Sequence, residues 1–172
     1  MESEDLLELS ERVGRREDRR VALTMAVLAA CLALVTLMGH RLHTEEVVLQ
    51  TKVVDGWAYY QAKNTRSQMY AADAMLAALQ GSAGLALSRT WTDKAGQEKE
   101  QAEGIRRETE ALDHETQQTA RRATFFDASE VFLEISIVLC SITLLTGGAG
   151  FWRASFVGAL IAVASAAMGF RP

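Results

Sequence analysis

Three carboxylates enter a long apolar stretch in the last third of the chain. Asp127, Glu130 and Glu134 are spaced i, i+3 and i+7, so on an α-helix they share one face, and Ser141 continues that face. An acidic side chain inside a bilayer is costly unless it is paired, protonated or in contact with water. The pattern is typical of two arrangements: a cation or proton path lined by several subunits, and a polar clasp between neighbouring helices.

The two arrangements differ most clearly at Glu134. If the apolar helix begins near Ala128, Glu134 lies about 6 residues, or about 9 Å, below the membrane surface. In the clasp, Glu134 is protonated and binds a hydroxyl of another span, for which Thr24 and Thr36 are candidates. In the path, the carboxylate is charged and wet. The sequence favours the clasp and leaves the path open.

A second group of residues has the types that a ligand site needs. Trp57, Tyr59, Tyr60 and Lys63 belong to the run WAYYQAK, and their aromatic rings and cation could bind a ligand or a lipid headgroup. The same spacing is typical of the packing face of a long helix. We favour the packing interpretation, because aromatic side chains bury large areas in any helical interface.

Three uncharged stretches determine the architecture in which these residues lie. Val21–Gly39, Ile135–Trp152 and Ala154–Phe170 each approach the roughly 20 apolar residues that a helix needs to cross a membrane. The sequence therefore predicts an all-α membrane protein with three transmembrane helices. The predicted segments are a basic tail at 1–20, spans at 21–39, 127–146 and 151–170, a polar segment at 40–126 and a turn at 147–150.

The polar segment predicts an antiparallel helical hairpin outside the membrane. Helices at Glu45–Leu79 and Thr92–Thr124 are joined by a turn that contains Gly81 and Gly84. The second helix has only a thin coiled-coil-like seam, which Glu98 and Thr109 interrupt. The seam residues are Trp91, Ala95, Ala102, Ile105 and Leu112. So thin a core predicts that the hairpin uses apolar surface from sister subunits.

A stripe of small residues on the third span also predicts association. Ala154, Gly158, Ala162 and Ala166 recur every four residues, a pattern that lets another helix approach closely. We therefore expect a homo-oligomer, and we expect Gly158→Leu to loosen it.

Basic residues indicate the orientation of the spans. Five arginines precede the first span, and Arg153 follows the turn at 147–150, so the N-terminus and this turn are expected in the cytoplasm. The five are Arg12, Arg15, Arg16, Arg19 and Arg20. Three crossings then place the hairpin and the C-terminus outside the cytoplasm, which is the periplasm if the host is a Gram-negative bacterium. A lipoprotein signal cut before Cys31 is the alternative, and we disfavour it because the apolar run continues to Met38.

Several kinds of chemistry lack their usual residues here. The sequence has no Gly-rich phosphate loop, no Ser/His/Asp set and no Cys/His metal spacing. His40 and His43, followed by two glutamates, could bind a metal, but a polar collar at the membrane edge is favoured because no third ligand has suitable spacing. The net charge of −4 argues against nucleic acid. We expect no enzymatic activity and no cofactor.

Three blocks of this sequence resemble a known family. They are Trp57–Lys63 (WAYYQAK), Glu134–Thr146 and the pair Phe151-Trp152. They are similar to bacterial inner-membrane proteins that carry a domain-of-unknown-function label, over roughly 20–170. The resemblance implies one N-terminal span, a polar helical middle and two C-terminal spans, and no known chemistry. The chain departs from this family at Gly147–Gly150, where more basic residues are expected.

The sequence thus predicts an oligomeric inner-membrane scaffold or interaction protein whose partners are the lipid bilayer, copies of itself and an unidentified protein. The alternative is a small oligomeric cation or proton channel, or a transporter subunit, lined by the acidic face of the second span.

Overall fold

The computed structural model describes the backbone of residues 2–171 and the side chains of residues 18–171. Three α-helices and one short 3₁₀ helix follow one another: α1 at Glu2–Ala78, the 3₁₀ helix at Gly81–Ala83, α2 at Leu85–Thr146 and α3 at Ala149–Gly169. The described residues contain no strand. Arg12, Arg15 and Arg16 of the basic tail lie outside the described side chains.

All three α-helices are long and apolar enough to cross a membrane. This confirms the all-helical prediction with three such helices. α1 continues for 77 residues, so the predicted first span and the helix at 45–79 form one helix, and α2 continues for 62. Neither contains a proline, because Pro172 is the only one in the chain, so no residue of that type interrupts the backbone hydrogen bonds.

Glycines separate the helices at two turns. Gly81 has a φ of 72° and Gly147 a φ of 68°, in the left-handed region where a side chain would be strained. Gly147 directly follows the last residue of α2 and ends it as a left-handed C-terminal glycine does. Gly81 opens the connection from α1 to α2. Both turns fall within the segments that the sequence indicated.

One compact unit consists of Met1–Thr44 and Thr119–Pro172. Its buried apolar residues form two clusters to which all three α-helices contribute. They are Val21, Leu28, Leu133, Cys140 and Ala162 in one cluster, and Leu42, Ala123 and Phe126 in the other. The ring of Phe126 meets that of Phe170 edge to face, with centroids 5.1 Å apart. A Cβ atom at Gly169 would lie 2.8 Å from Cε2 of Phe126, so this glycine lets α3 approach α2.

The small-residue stripe of α3 packs within this unit. Ala162 is fully buried, and its carbonyl oxygen accepts a 2.9 Å hydrogen bond from Oγ of Ser129 on α2. A Cβ atom at Gly158 would collide with Oγ of Ser136, also on α2. Ala166 is half-buried and Ala154 is exposed. At Gly158 and Ala162, the close approach that the stripe permits is therefore made by α2 of the same chain.

The second compact unit is Glu45–Gln118. Gly56 lies against Thr109, Lys63 forms an ion pair with Glu98, and Oγ of Ser67 donates a 2.8 Å hydrogen bond to the carbonyl of Ala95. From one of these contacts to the next, the residue number rises on α1 and falls on α2. The buried apolar side chains are mostly small, namely Leu49, Val53, Ala74, Ala77, Ala95 and Ala102. The described core of this unit therefore consists mainly of alanine, with few large apolar side chains.

Candidate functional site

The first carboxylate of the acidic face, Asp127, contacts an imidazole of α1. Nε2 of His43 lies 3.0 Å from Oδ1 and 3.2 Å from Oδ2 of Asp127, and both side chains are 49% exposed. The contact is an ion pair only when the imidazole is protonated. It is half solvated, so it is worth at most about 1 kcal/mol. Within residues 18–171, no group of three His, Cys, Asp or Glu side chains is arranged to hold a metal ion.

The second carboxylate, Glu130, is bound by a hydroxyl from the apolar part of α1. Oγ1 of Thr36 donates a 2.9 Å hydrogen bond to Oε1 of Glu130. Thr36 is one of the two hydroxyls that the clasp interpretation offered to Glu134. The other, Thr24, donates to the carbonyl of its own helix at Arg20 and accepts a 3.3 Å hydrogen bond from Nε1 of Trp152 on α3. A side-chain hydrogen bond therefore joins α1 to α2 in this region, and its acidic member is Glu130 and not Glu134.

The third carboxylate, Glu134, is exposed on α2. No hydrogen bond or ion pair of Glu134 is found within the part of the chain that the structure describes. Two contacts bracket it along the helix pair: Thr36 with Glu130 on one side, and Met25 with Ser141 on the other, where Oγ of Ser141 lies 3.5 Å from the methionine sulfur. Between Met25 and Thr36, α1 has no hydroxyl, amide or charged side chain, so it offers Glu134 no strong partner.

Ser141 is satisfied within the chain. Its hydroxyl lies 3.1 Å from the carbonyl oxygen of Ile137 one turn earlier, in addition to its contact with Met25. The acidic face therefore has two parts: Asp127, Glu130 and Ser141 form polar contacts with α1, and Glu134 forms none within residues 18–171. The side chains around Glu134 on its own helix are large, apolar and exposed, with Val131 at 52%, Ile135 at 47% and Val138 at 56%.

The WAYYQAK run lies in the unit Glu45–Gln118, where its cation is buried. Lys63 is 8% exposed; its Nζ donates a 2.6 Å hydrogen bond to Oε1 of Gln101 and lies 3.0 Å from Oε2 of Glu98. Trp57 and Tyr60 meet edge to face at 5.8 Å, and the ring of the exposed Tyr59 lies 5.8 Å from Nζ of Lys63. The contacts of Lys63 with Gln101 and Glu98 join α1 to α2, whereas the ring contacts lie within α1. Glu98, which was expected to interrupt the seam, is the counterion of Lys63.

A cavity at the turn between α2 and α3 is a site that the sequence did not indicate. It has a volume of about 330 Å³ and is lined in part by Asp18, Arg20, Trp152 and Arg153. In the sequence, Arg20 and Arg153 indicated only the orientation of the spans. They are separated by more than 130 positions, so the sequence does not show that both line one cavity. The available indication was that each arginine lies at the end of an apolar stretch.

Taken together, the helices define an all-helical chain with three segments able to cross a membrane, which is the architecture of a multi-pass membrane protein. A family described as a domain of unknown function (DUF4337) matches residues 17–171, and the chain belongs to this family. This confirms the expected membership in a domain-of-unknown-function family. Comparisons with curated proteins and with solved structures found no match.

Proposed function

We propose that this protein is a homo-oligomeric scaffold or interaction protein of a bacterial inner membrane, without catalytic activity. The observation that carries the proposal is the position of Glu134. This carboxyl is exposed on a helix able to span a membrane, and it has no partner within residues 18–171. Acidic side chains in spans normally face other protein or water, because their burial in hydrocarbon costs several kcal/mol.

A second copy of α2 is the partner that this carboxyl fits best. In a two-fold symmetric contact, the same face of both helices meets, so Glu134 would oppose Glu134. Two carboxyl groups that share a proton form a hydrogen bond that neither can make alone. The exposed Val131, Ile135 and Val138 would pack around this bond. We name these four residues the α2 face.

The polar unit Glu45–Gln118 would project from the membrane as an antiparallel helical hairpin. The reciprocal order of its contacts, from Gly56 with Thr109 to Ser67 with Ala95, supports this arrangement. Large apolar side chains on its surface support a protein partner or a sister hairpin, since such surface is normally covered. They include Val47, Val48, Val54, Met69, Met75 and Leu79. The arginines before Val21 support a cytoplasmic N-terminus, with the hairpin and the C-terminus in the periplasm.

Cysteine cross-linking in native membranes tests the α2 face. Val138→Cys, in a chain that also carries Cys31→Ser, should form disulfide-linked dimers upon mild oxidation. Val157→Cys is the matched control, because Val157 is 60% exposed on α3 and lies at a similar depth, close to Gly158, which contacts Ser136. Equal cross-linking at the two positions, or none at Val138→Cys, would contradict a subunit interface on the α2 face.

Substitution of Glu134 separates an interface from a lipid-facing position. Glu134→Gln keeps the shape and the hydrogen bonding and should leave the dimer intact, whereas Glu134→Leu should weaken it by about 1 kcal/mol. A lipid-facing Glu134 would behave in the opposite way, since leucine would then remove a desolvation cost and stabilise the protein. The dimer fraction in mild detergent, measured against protein concentration, distinguishes the two.

A cation or proton channel is the second candidate function. The observation in its favour is that Asp127 is half exposed and Glu134 is exposed on the same face of α2. Several α2 helices around an axis could present these groups to water. In proteoliposomes, the channel predicts cation or proton flux that Glu134→Gln abolishes while assembly remains intact. Glu130→Gln should have a weaker effect, because Glu130 lies nearer the aqueous edge, where screening is stronger. Absence of flux under a voltage or pH gradient would favour the scaffold.

A further inference from the structure

The cavity beside the turn between α2 and α3 has an unusual combination of charged groups for the end of a membrane span. It is lined by two guanidinium groups, Arg20 from α1 and Arg153 from α3, by the carboxylate of Asp18 and by the indole of Trp152. Among the described residues, Val21, Thr143, Gly147 and Ala149 also line it. Its volume of about 330 Å³ is in the range of small-molecule sites.

The two arginines make no ion pair within residues 18–171. Arg20 adjoins the first apolar stretch and Arg153 separates the second from the third, so both lie where spans would reach the membrane surface. Guanidinium groups bind phosphate oxygens with two parallel hydrogen bonds, and basic pockets between spans bind lipid headgroups in this way. The N-terminus of α3 adds to the positive potential, because no side chain caps it and its first turn contains no acidic residue.

Asp18 and Trp152 make the cavity more selective than a basic patch. A carboxylate repels a purely anionic headgroup but attracts an ammonium group, and an indole ring also attracts a cation. Trp152 is held in place by the 3.3 Å hydrogen bond from its Nε1 to Thr24. A ligand with one phosphate and one ammonium group satisfies all four side chains.

We propose that this cavity binds the phosphoethanolamine headgroup of a membrane phospholipid. Arg20 and Arg153 bind the phosphodiester, and Asp18 with Trp152 binds the ammonium group. The acyl chains extend along the apolar surface of the spans. The inference rests on the proposed placement of the three helices in a membrane, but not on their orientation or on the oligomer.

Native mass spectrometry of the detergent-purified full chain tests the site. The probes are phosphatidylethanolamine, phosphatidylglycerol and inorganic phosphate, each titrated separately and in competition. The variants are Arg153→Gln, Arg20→Gln and Asp18→Asn. Arg41→Gln is the matched control, because Arg41 is also exposed on α1 but lies beyond the other end of the apolar stretch. Circular dichroism establishes that each variant is folded.

Phosphatidylethanolamine should bind the wild-type chain more tightly than phosphatidylglycerol. Each arginine substitution should weaken this binding by about tenfold or more, since it removes a charge-assisted contact. Asp18→Asn should abolish or reverse the preference between the two lipids, and Arg41→Gln should change nothing.

Three results would overturn the inference: unchanged binding in both arginine variants, tighter binding of phosphatidylglycerol by the wild-type chain, and displacement of the lipid by inorganic phosphate at comparable concentration. Alkaline carbonate extraction of membranes provides a separate result. Release of the protein would contradict the proposed membrane placement itself, whereas retention together with any of these three results would contradict only the headgroup site.

Discussion

The hydroxyl of Thr36 donates a 2.9 Å hydrogen bond to Oε1 of Glu130 and so joins α1 to α2. The next polar contact between α1 and α2 is that of Met25 with Ser141. Glu134 lies between these two contacts along α2 and has no hydrogen-bond partner within residues 18–171. Two carboxylates one turn apart on one helix therefore differ in role. Glu130 contributes to the packing within the chain, and Glu134 is the member that the proposed contact with a second copy of α2 would use.

Removal of the Thr36 hydroxyl should destabilise the contact between α1 and α2. Thr36→Val keeps the size of the side chain but leaves Glu130 without its donor, and we expect a loss of about 1 kcal/mol. The measurement is unfolding in mixed micelles as the fraction of denaturing detergent rises. Thr44→Val is the control, because within residues 18–171 the hydroxyl of Thr44 bonds only to the carbonyl of His40 on its own helix. Equal losses in the two variants would show that the bond between helices has no specific effect.

Removing one member of the ion pair of Lys63 with Glu98 should cost more stability than replacing both members with apolar residues. The two side chains are 10% and 18% exposed, so Lys63→Met leaves a mostly buried carboxylate without its counterion and should cost about 3 kcal/mol. Adding Glu98→Leu should restore most of the stability in thermal unfolding. Arg106→Ala breaks an ion pair with Glu103 whose members are more than 40% exposed, and it should cost less than about 1 kcal/mol. A double variant as unstable as Lys63→Met would refute this account.

Two glycines in the unit Glu45–Gln118 should respond to alanine with opposite signs. At Gly56, the added methyl group meets Oγ1 of Thr109 and lies 3.1 Å from its Cγ2, so overpacking of about 1–3 kcal/mol outweighs the gain in helix propensity. At Gly96 the methyl group meets nothing within 4 Å, and the same gain should stabilise the chain by about 1 kcal/mol. Thermal unfolding measures both, and Thr109→Ala should rescue Gly56→Ala.

Gly158→Leu should disrupt the fold of the single chain before it affects assembly. The new side chain would collide with Ser136 of α2, and we expect a loss of about 2 kcal/mol or more. Unfolding measured at several protein concentrations distinguishes the two effects, since a loss within one chain does not depend on concentration. Gly150→Leu is the control, because a Cβ at Gly150 meets nothing within 4 Å. A destabilisation that disappears at high concentration would instead support a stripe used between subunits.

The proposed orientation predicts which turns are accessible from outside. In a chain with Cys31→Ser, the substitution Ser82→Cys should react with an impermeant thiol reagent in intact spheroplasts. Ala149→Cys, at the first residue of α3 beside the other turn, should react only after lysis. Both positions are exposed, so accessibility of the side chain itself does not distinguish them. The reverse labelling pattern would place the hairpin in the cytoplasm.

The sequence by itself determined the helical class and the three apolar segments. Both are local properties: uninterrupted runs such as Val21–Gly39 and the scarcity of proline suffice to predict helices that can cross a membrane. The turns at Gly81 and Gly147 were equally predictable, because a positive φ selects glycine within a few residues of sequence.

Only the tertiary structure decided which surfaces meet. By spacing, Asp127, Glu130 and Glu134 are equivalent. The register of α1 against α2 places the hydroxyl of Thr36 at Glu130, whereas an apolar part of α1 lies opposite Glu134. The tertiary structure also decided that the small size of Gly158 allows α2 of the same chain to approach α3. It likewise decided that Arg20 and Arg153 line one cavity. Helix periodicity states which residues share a face. Which partner that face meets depends on the offset between helices that are far apart in sequence, and no local pattern contains that offset.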